Sequence, residues 1–212
     1  MPVNGVIALL IAYLLGSIPA AYIAARLVKG KDIRQMGWGN VGAGNTFREV
    51  GKVAGIAVGI IDVGKGAAAV AIAHWLLDAP QLFLLAAGIA AVAGHIWSIY
   101  LKFTGGRGLA TALGVLSVLM PWELLIVFAI TIILIVITRN PVLSVNLSLL
   151  SVPVSAWFLE QSWLLVIFPI VLMLILALNF LPRAIEDSVE AGGIGNYVAE
   201  LLRMGRANKK ET

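Results

Sequence analysis

What chemistry this sequence can do lies in two glycine-rich stretches and a few polar residues near them. The first stretch, Gly37-Trp38-Gly39-Asn40-Val41-Gly42-Ala43-Gly44-Asn45-Thr46-Phe47-Arg48, carries Gly-x-Gly-Asn twice, end to end. Closely spaced glycines permit positive φ and can turn successive N–H groups toward one point, which is how a main chain makes an anion-binding nest. Gly39, Gly42 and Gly44 would open such a nest; Asn40 and Asn45 add amide donors, and Arg48 adds a planar fork matched to phosphate. Taken alone, the loop fits both a phosphate cradle and a flexible polar connector between two spans. The second stretch, Gly105-Gly106-Arg107-Gly108, has the same chemistry, and Leu109-Ala110-Thr111 after it opens a helix whose positive end would face the same ligand. Lys102 sits just before this stretch, and His95 lies about two turns earlier, at a depth the loops can reach. A solitary histidine in an apolar helix is either a hydrogen-bonded structural residue or a direct participant. Asp62 and Lys65, three residues apart, share one face of a helix. A lone charge at the centre of a membrane helix costs roughly 2.5–3.5 kcal/mol, so the two are expected to pair, as a structural ion pair or as a charged wall closing the pocket.

The elements that must hold these residues are membrane helices. The chain is 60% hydrophobic and 12% charged, a composition that excludes an ordinary soluble domain. About seven apolar windows approach the length needed to cross a bilayer as helix, so the fold class is an all-α polytopic membrane protein. The windows are Val3–Val28, Val53–Leu77, Leu82–Leu101, Leu109–Met120, Leu124–Thr138, Val142–Leu159 and Trp163–Leu181. The fourth and fifth are short for full spans and are expected to be tilted, broken or partly re-entrant. Met1-Pro2-Val3-Asn4 lacks a basic n-region and the first window is too long for a signal segment, so it reads as a span. Residues 1–183 are expected to form a single transmembrane domain, with 184–212 a cytoplasmic tail whose amphipathic piece, Tyr197–Met204, fits both an interfacial helix on the inner leaflet and a frayed, disordered end.

With the N-terminus outside, Lys and Arg fall in the inside segments except Arg26 and Lys65, which lie within spans, while Asp78, Glu123 and Glu160 mark the outside turns. This asymmetry accounts for the net charge of +4 without a nucleic-acid partner and puts both glycine-rich loops on the cytoplasmic side, with the C-terminus. Gly16-Ser17-Ile18-Pro19 interrupts the first span, with Ser17 assigned to packing. Ser144, Asn146, Ser148 and Ser151 put a polar stripe on the sixth span, and Asn179 near the end of the seventh is placed to complete a cytoplasmic pocket. Cysteine is absent, which removes disulfides, thiolate nucleophiles and cysteine-based zinc sites. No His/Asp/Glu spacing is diagnostic of a metal, so neither metal nor cofactor is expected.

Several of these motifs together resemble the bacterial acyl-phosphate:glycerol-3-phosphate acyltransferases, the PlsY family. The likeness runs through Gly16-Ser17-Ile18-Pro19, Asp32-Ile33-Arg34 to Arg48, Asp62-x-x-Lys65-Gly66, and Gly94-His95 to Lys102-Phe103-x-Gly105-Gly106-Arg107-Gly108-Leu109-Ala110-Thr111, and is thin beyond Gly114. It implies a seven-span inner-membrane enzyme that moves a fatty acyl group from acyl phosphate to the 1-hydroxyl of glycerol 3-phosphate, giving lysophosphatidic acid and phosphate, the first step of phospholipid synthesis. On this resemblance Asn40, Asn45 and Arg48 help hold phosphate, Gly105, Gly106 and Gly108 form a second cradle reaching to Thr111, and His95 and Lys102 flank the reaction centre; the partners are acyl phosphate, glycerol 3-phosphate and membrane lipid. The chain departs from the family pattern in having Trp38 for a usual serine, Gly44 for threonine, Arg107 for lysine and Ser98 for proline. A third signature is reduced to Asn179-Phe180-Leu181-Pro182-Arg183, with no histidine before it. The rival readings are a transporter of phosphorylated or anionic solutes and a non-catalytic lipid-binding relative.

Overall fold

The computed structural model describes residues 2–160 and 162–190 together with Gly193 and Gly195; Tyr197–Met204, the candidate interfacial helix, lies outside them. The chain forms two compact units, Met1–Leu119 and Met120–Thr212. In the first, α1 (Pro2–Ser17) and α2 (Ala20–Lys29) make one interrupted span, followed by α3 (Ala43–Glu49), α4 (Lys52–Ala71, extended by a π-turn over Ile72–Leu76), α5 (Gln81–Ile96) and α6 (Leu109–Leu119). The second contains α7 (Pro121–Thr138), α8 (Pro141–Ser148), α9 (Ser151–Leu159) and α10 (Trp163–Glu190).

In lipid, helices gain little from hiding apolar surface from one another, so close approach of small residues holds them together. In the first unit α5 sits so near α1 that a Cβ on Gly94 would strike the Tyr13 carbonyl and Ser17, and α6 sits so near α4 that one on Gly114 would strike the Val63 carbonyl. At the interruption between α1 and α2 the chain leaves the regular helical bonding pattern, with the Ala20 N–H on the Ile18 carbonyl at 3.1 Å, and the Ser17 and Ile18 carbonyls are open to side chains from elsewhere. Other helices use them: Ser98 Oγ donates to the Ser17 carbonyl at 2.6 Å, and Lys65 Nζ to the Ile18 carbonyl at 2.9 Å. Helix α2 ends at Gly30, whose φ of 67° is the left-handed cap that glycine adopts without steric penalty. The segment that follows is anchored from below. Ile33 and Val41 are buried in a cluster with Ala21, Ala25, Val50, Val58 and Leu101, and burying a side chain such as Ile33 is worth about 1.5–3 kcal/mol. The glycine-rich loop is therefore a folded layer over α2 and α4.

In the second unit α7 begins at Pro121, a residue suited to the first turn of a helix, which gives it 18 residues where the sequence suggested a start at Leu124. The sixth window breaks into α8 and α9 around Leu149 and Leu150. Its polar stripe serves packing: Ser148 Oγ meets Thr131 Oγ1 at 2.6 Å and Ser144 Oγ meets Thr138 Oγ1 at 2.8 Å, both on α7. Helix α10 runs through Pro169 and Pro182 to Glu190, past the point where a tail was expected to begin. Glu123, read as marking an outside turn, is fully buried in the first turn of α7. Among the described residues, five helical segments are long and apolar enough to cross a membrane: Val3–Lys29, Lys52–Leu76, Gln81–Leu101, Pro121–Thr138 and Trp163–Pro182. Leu109–Leu119 and Leu143–Leu159 are apolar but shorter.

Candidate active site

The two glycine-rich loops meet in the first unit, and His95 lies where they touch. The Gly106 N–H donates to the His95 carbonyl at 3.1 Å. A Cβ on Gly106 would collide both with His95 Nε2 and with the Val41 carbonyl of the first loop, so only glycine allows the second loop to sit between them. Gly105 is equally tight against the His95 and Ile96 carbonyls. Gly108, at φ 81°, turns the chain into α6. Thr111 is buried one turn on, its Oγ1 without a hydrogen-bond partner, and Arg107 is half-buried between the glycines. Lys102 and Phe103 have φ of 55° and 60°, a conformation that costs a side-chain-bearing residue roughly 1–2 kcal/mol. The Ser98 carbonyl holds that turn by accepting from the N–H groups of Leu101 and Phe103 at 3.1 and 2.8 Å, and it leaves the Lys102 side chain exposed.

Beneath the loops, Asp62 and Lys65 pair at 2.8 Å with side chains 3% and 5% exposed, as their spacing required. His95 Nδ1 faces the same Asp62 oxygen at 3.5 Å, too long to be a firm hydrogen bond. Asp62, Lys65, His95, Ser17, Ile18 and Ser98 are among the residues lining a cavity of about 10 Å³, near what a single water needs. A larger recess of about 420 Å³ lies beside α2, lined by Arg26, Gly30, Lys31, Asp32, Gln35 and Met36, and includes none of the residues expected to hold substrate.

Within the first loop the structure redistributes the expected roles. Gly39, at φ 64°, takes the left-handed conformation of a nest, but Gly42 is extended at φ −160° and Gly44 lies inside α3. Asn45 is fully buried and its amide is engaged by the loop: Oδ1 accepts from the Trp38 N–H at 3.0 Å, and Nδ2 donates to the carbonyls of Ile33, Met36 and Asn40 at 3.3, 3.0 and 3.0 Å. It shapes the loop from within, so the donor the sequence reserved for phosphate is an internal strut. Asn40 keeps a buried Oδ1 with no hydrogen-bond partner. Arg48 is largely exposed on α3, 3.5 Å from Glu49 and stacked over the Trp38 ring. Asn179 belongs to the second unit.

Arg34 was missed. Its guanidinium binds Asp32 in a bidentate pair, with Nη2–Oδ2 at 2.7 Å, and its Nη1 donates to Thr104 Oγ1 of the second loop at 3.0 Å. The sequence carried it only within the Asp32-Ile33-Arg34 stretch of the family resemblance, with no role assigned to it. That pair holds the Asp32 carboxyl below its usual range, chiefly through the side-chain hydrogen bond from Arg34. A carboxyl with a depressed pKa contributes stability that is present above the unfolded value of about 3.9 and is lost as pH falls through the folded value. The clip should therefore hold at pH 5 and open only in stronger acid, whereas Asp32→Asn should loosen it already at pH 7. Trypsin cleavage after Lys31 and Arg34 checks this, with several-fold faster nicking of the variant expected at pH 7.

These features define a class: a polytopic helical membrane protein in which two glycine-rich loops close over a buried histidine and ion pair. Its family follows from the comparisons. Residues 6–185 match the family model described as glycerol-3-phosphate acyltransferase. Two relatives from Dehalococcoides mccartyi (strain ATCC BAA-2266 / KCTC 15142 / 195) are similar along most of their length. Glycerol-3-phosphate acyltransferase 1 is 44% identical over 81% of this chain and 85% of its own, and glycerol-3-phosphate acyltransferase 2 is 41% identical over 93% of each. Among solved structures, the glycerol 3-phosphate form of PlsY (YgiH), an integral membrane glycerol 3-phosphate acyltransferase, superposes with a TM-score of 0.77 at 30% identity, covering 84% of this chain and 89% of that one. The chain belongs to the glycerol-3-phosphate acyltransferase family.

Proposed function

We propose that this protein transfers a fatty acyl group from acyl phosphate to the 1-hydroxyl of glycerol 3-phosphate, releasing phosphate and lysophosphatidic acid. It does so in a bacterial inner membrane with seven spans, N-terminus outside, and the site facing the cytoplasm. The observation that carries the reading is the junction at Gly106, where the loops from two different spans close on His95 and Val41. Two phosphorylated substrates need two adjacent anion sites, and the joined loops can supply them. The solved relative in its glycerol 3-phosphate form supports the choice of acceptor.

Acyl phosphate is already activated, so positioning and charge neutralisation can supply much of the barrier reduction without a protein nucleophile. The hydroxyl oxygen attacks the acyl carbonyl, the bond from that carbon to the phosphate oxygen breaks, and phosphate departs with the electron pair. Arg48, Lys102, Arg107 and the N–H groups of the glycine loops stabilise the developing oxyanion and the leaving phosphate, with Asn40 and Thr111 as neutral partners. Two acceptors exist for the hydroxyl proton: a substrate phosphate oxygen, and His95 Nε2, which lies toward Gly106 while Nδ1 faces Asp62.

The direct test is phosphate release from palmitoyl phosphate by the purified protein, dependent on added glycerol 3-phosphate. Absence of that dependence would remove the enzyme reading. Arg48→Ala and His95→Ala should each lower turnover by about a hundredfold, the scale of losing one transition-state donor or one proton acceptor. Both variants should still elute as folded protein in detergent; wild-type turnover in both would refute these roles.

A further inference from the structure

Trp38 is a large aromatic side chain that the first loop turns outward, 53% exposed, and three features hold it there. The glycines on either side, Gly37 and Gly39, both have positive φ, and the Trp38 N–H is fixed to the buried Asn45 amide. Its ring lies on α3. A Cβ on Gly44 would sit in ordinary van der Waals contact with Trp38 Cζ3 at 3.8 Å, so a β-branched side chain, which carries two γ atoms in a narrow choice of rotamers, would crowd the indole. One turn further along the same helix face, the Arg48 guanidinium carbon stands 5.1 Å from the ring centroid, within the range of a cation–π contact. The competing partner of Arg48 is Glu49, 3.5 Å away, a carboxylate that would draw the guanidinium off phosphate. From this we infer that Trp38 is a positioning residue that holds Arg48 ready for a substrate phosphoryl group, with Gly44 as the slot that seats its ring. The inference rests on the reading of Arg48 as a phosphate ligand given above.

The chemistry separates flat aromatic faces from bulk. A phenyl ring keeps an electron-rich face for the guanidinium, while leucine keeps volume without one. In acyl-transfer assays on the full chain, Trp38→Leu should raise KM for one of the two phosphorylated substrates five- to tenfold with kcat within about threefold. Trp38→Phe should stay within about twofold of wild type. Gly44→Val should reproduce the leucine variant by unseating the ring, and it guards against a Trp38 variant that does not fold. Measuring KM separately for glycerol 3-phosphate and for palmitoyl phosphate tells which phosphoryl group Arg48 meets. Equal effects of Phe and Leu at position 38, or no KM change for either substrate in Trp38→Leu and Gly44→Val, would overturn the inference. If Arg48→Ala itself turns over like wild type, the assignment of Arg48 has failed instead.

Discussion

Gly106→Ala is expected to lower acyl transfer by at least a thousandfold in a protein that still folds. The added methyl would lie closer than van der Waals contact to both His95 Nε2 and the Val41 carbonyl oxygen, and neither can yield freely. Val41 is buried in the cluster beneath the first loop, so moving its carbonyl means lifting that loop. The imidazole can swing away only by leaving Asp62, and the Gly106 N–H would lose its bond to the His95 carbonyl if the second loop withdrew. Overpacking of this kind typically costs about 1–3 kcal/mol of stability, tolerable for a helical scaffold. For catalysis it is severe, because a displacement of about 1 Å in a site that works by positioning can itself cost a hundredfold, and here both loops and the histidine move together. Gly64→Ala is the matched control: that glycine is in α4, and nothing lies within 4 Å of its added methyl. The control should keep full turnover and gain slightly in stability, since alanine is the better helix former by about 1 kcal/mol. The assay is glycerol 3-phosphate-dependent release of phosphate. More than a tenth of wild-type turnover in Gly106→Ala would mean that the loops need not close in this way.

The same junction shows what could be read from the chain and what could not. The Asp62–Lys65 pair follows from helical spacing and forms where that rule puts it; the apolar windows follow from length and become helices, but α7 starts before its window, the sixth window breaks in two and α10 runs past the seventh. The recruitment of His95 by Asp62, the use of the Ile18 carbonyl by Lys65 and the link from Arg34 to Thr104 join residues from different helices and loops. No periodicity encodes such contacts. Asn45 illustrates a subtler limit. Its residue type indicates amide donors, but burial decides whether they face a ligand or the loop's own carbonyls. Trp38 and Gly44, which read singly as unrelated departures from the family pattern, lie side by side, so that a Cβ added at Gly44 would come within 3.8 Å of the indole. Likewise the tail was expected from residue 184, yet α10 continues through Pro182 to Glu190, because a proline removes one backbone bond without obliging the chain to stop.

Lys65→Met should be the most damaging single change to folding, and its reversal should separate structure from catalysis. Lys65 is the ion-pair partner of Asp62 and also donates to the Ile18 carbonyl, at the break before Pro19. Removing it leaves a carboxylate 3% exposed with only a long contact to His95. Breaking a buried pair from one side generally costs about 3–5 kcal/mol, most of it the uncompensated charge left behind. A protein of ordinary marginal stability should then yield little folded material in detergent. Asp62→Leu added to Lys65→Met removes that charge, and an apolar replacement of a whole buried pair is often neutral or stabilising. Thermal unfolding of the double variant should return to within a few degrees of wild type. Its turnover should not return, because the carboxylate that faces His95 Nδ1 at 3.5 Å is gone. Recovery of stability without recovery of rate would assign the pair to holding the imidazole against the second loop. Recovery of both would make it a packing feature that catalysis does not use, and recovery of neither would mean that the Ile18 carbonyl, now without its lysine, is what the fold cannot do without.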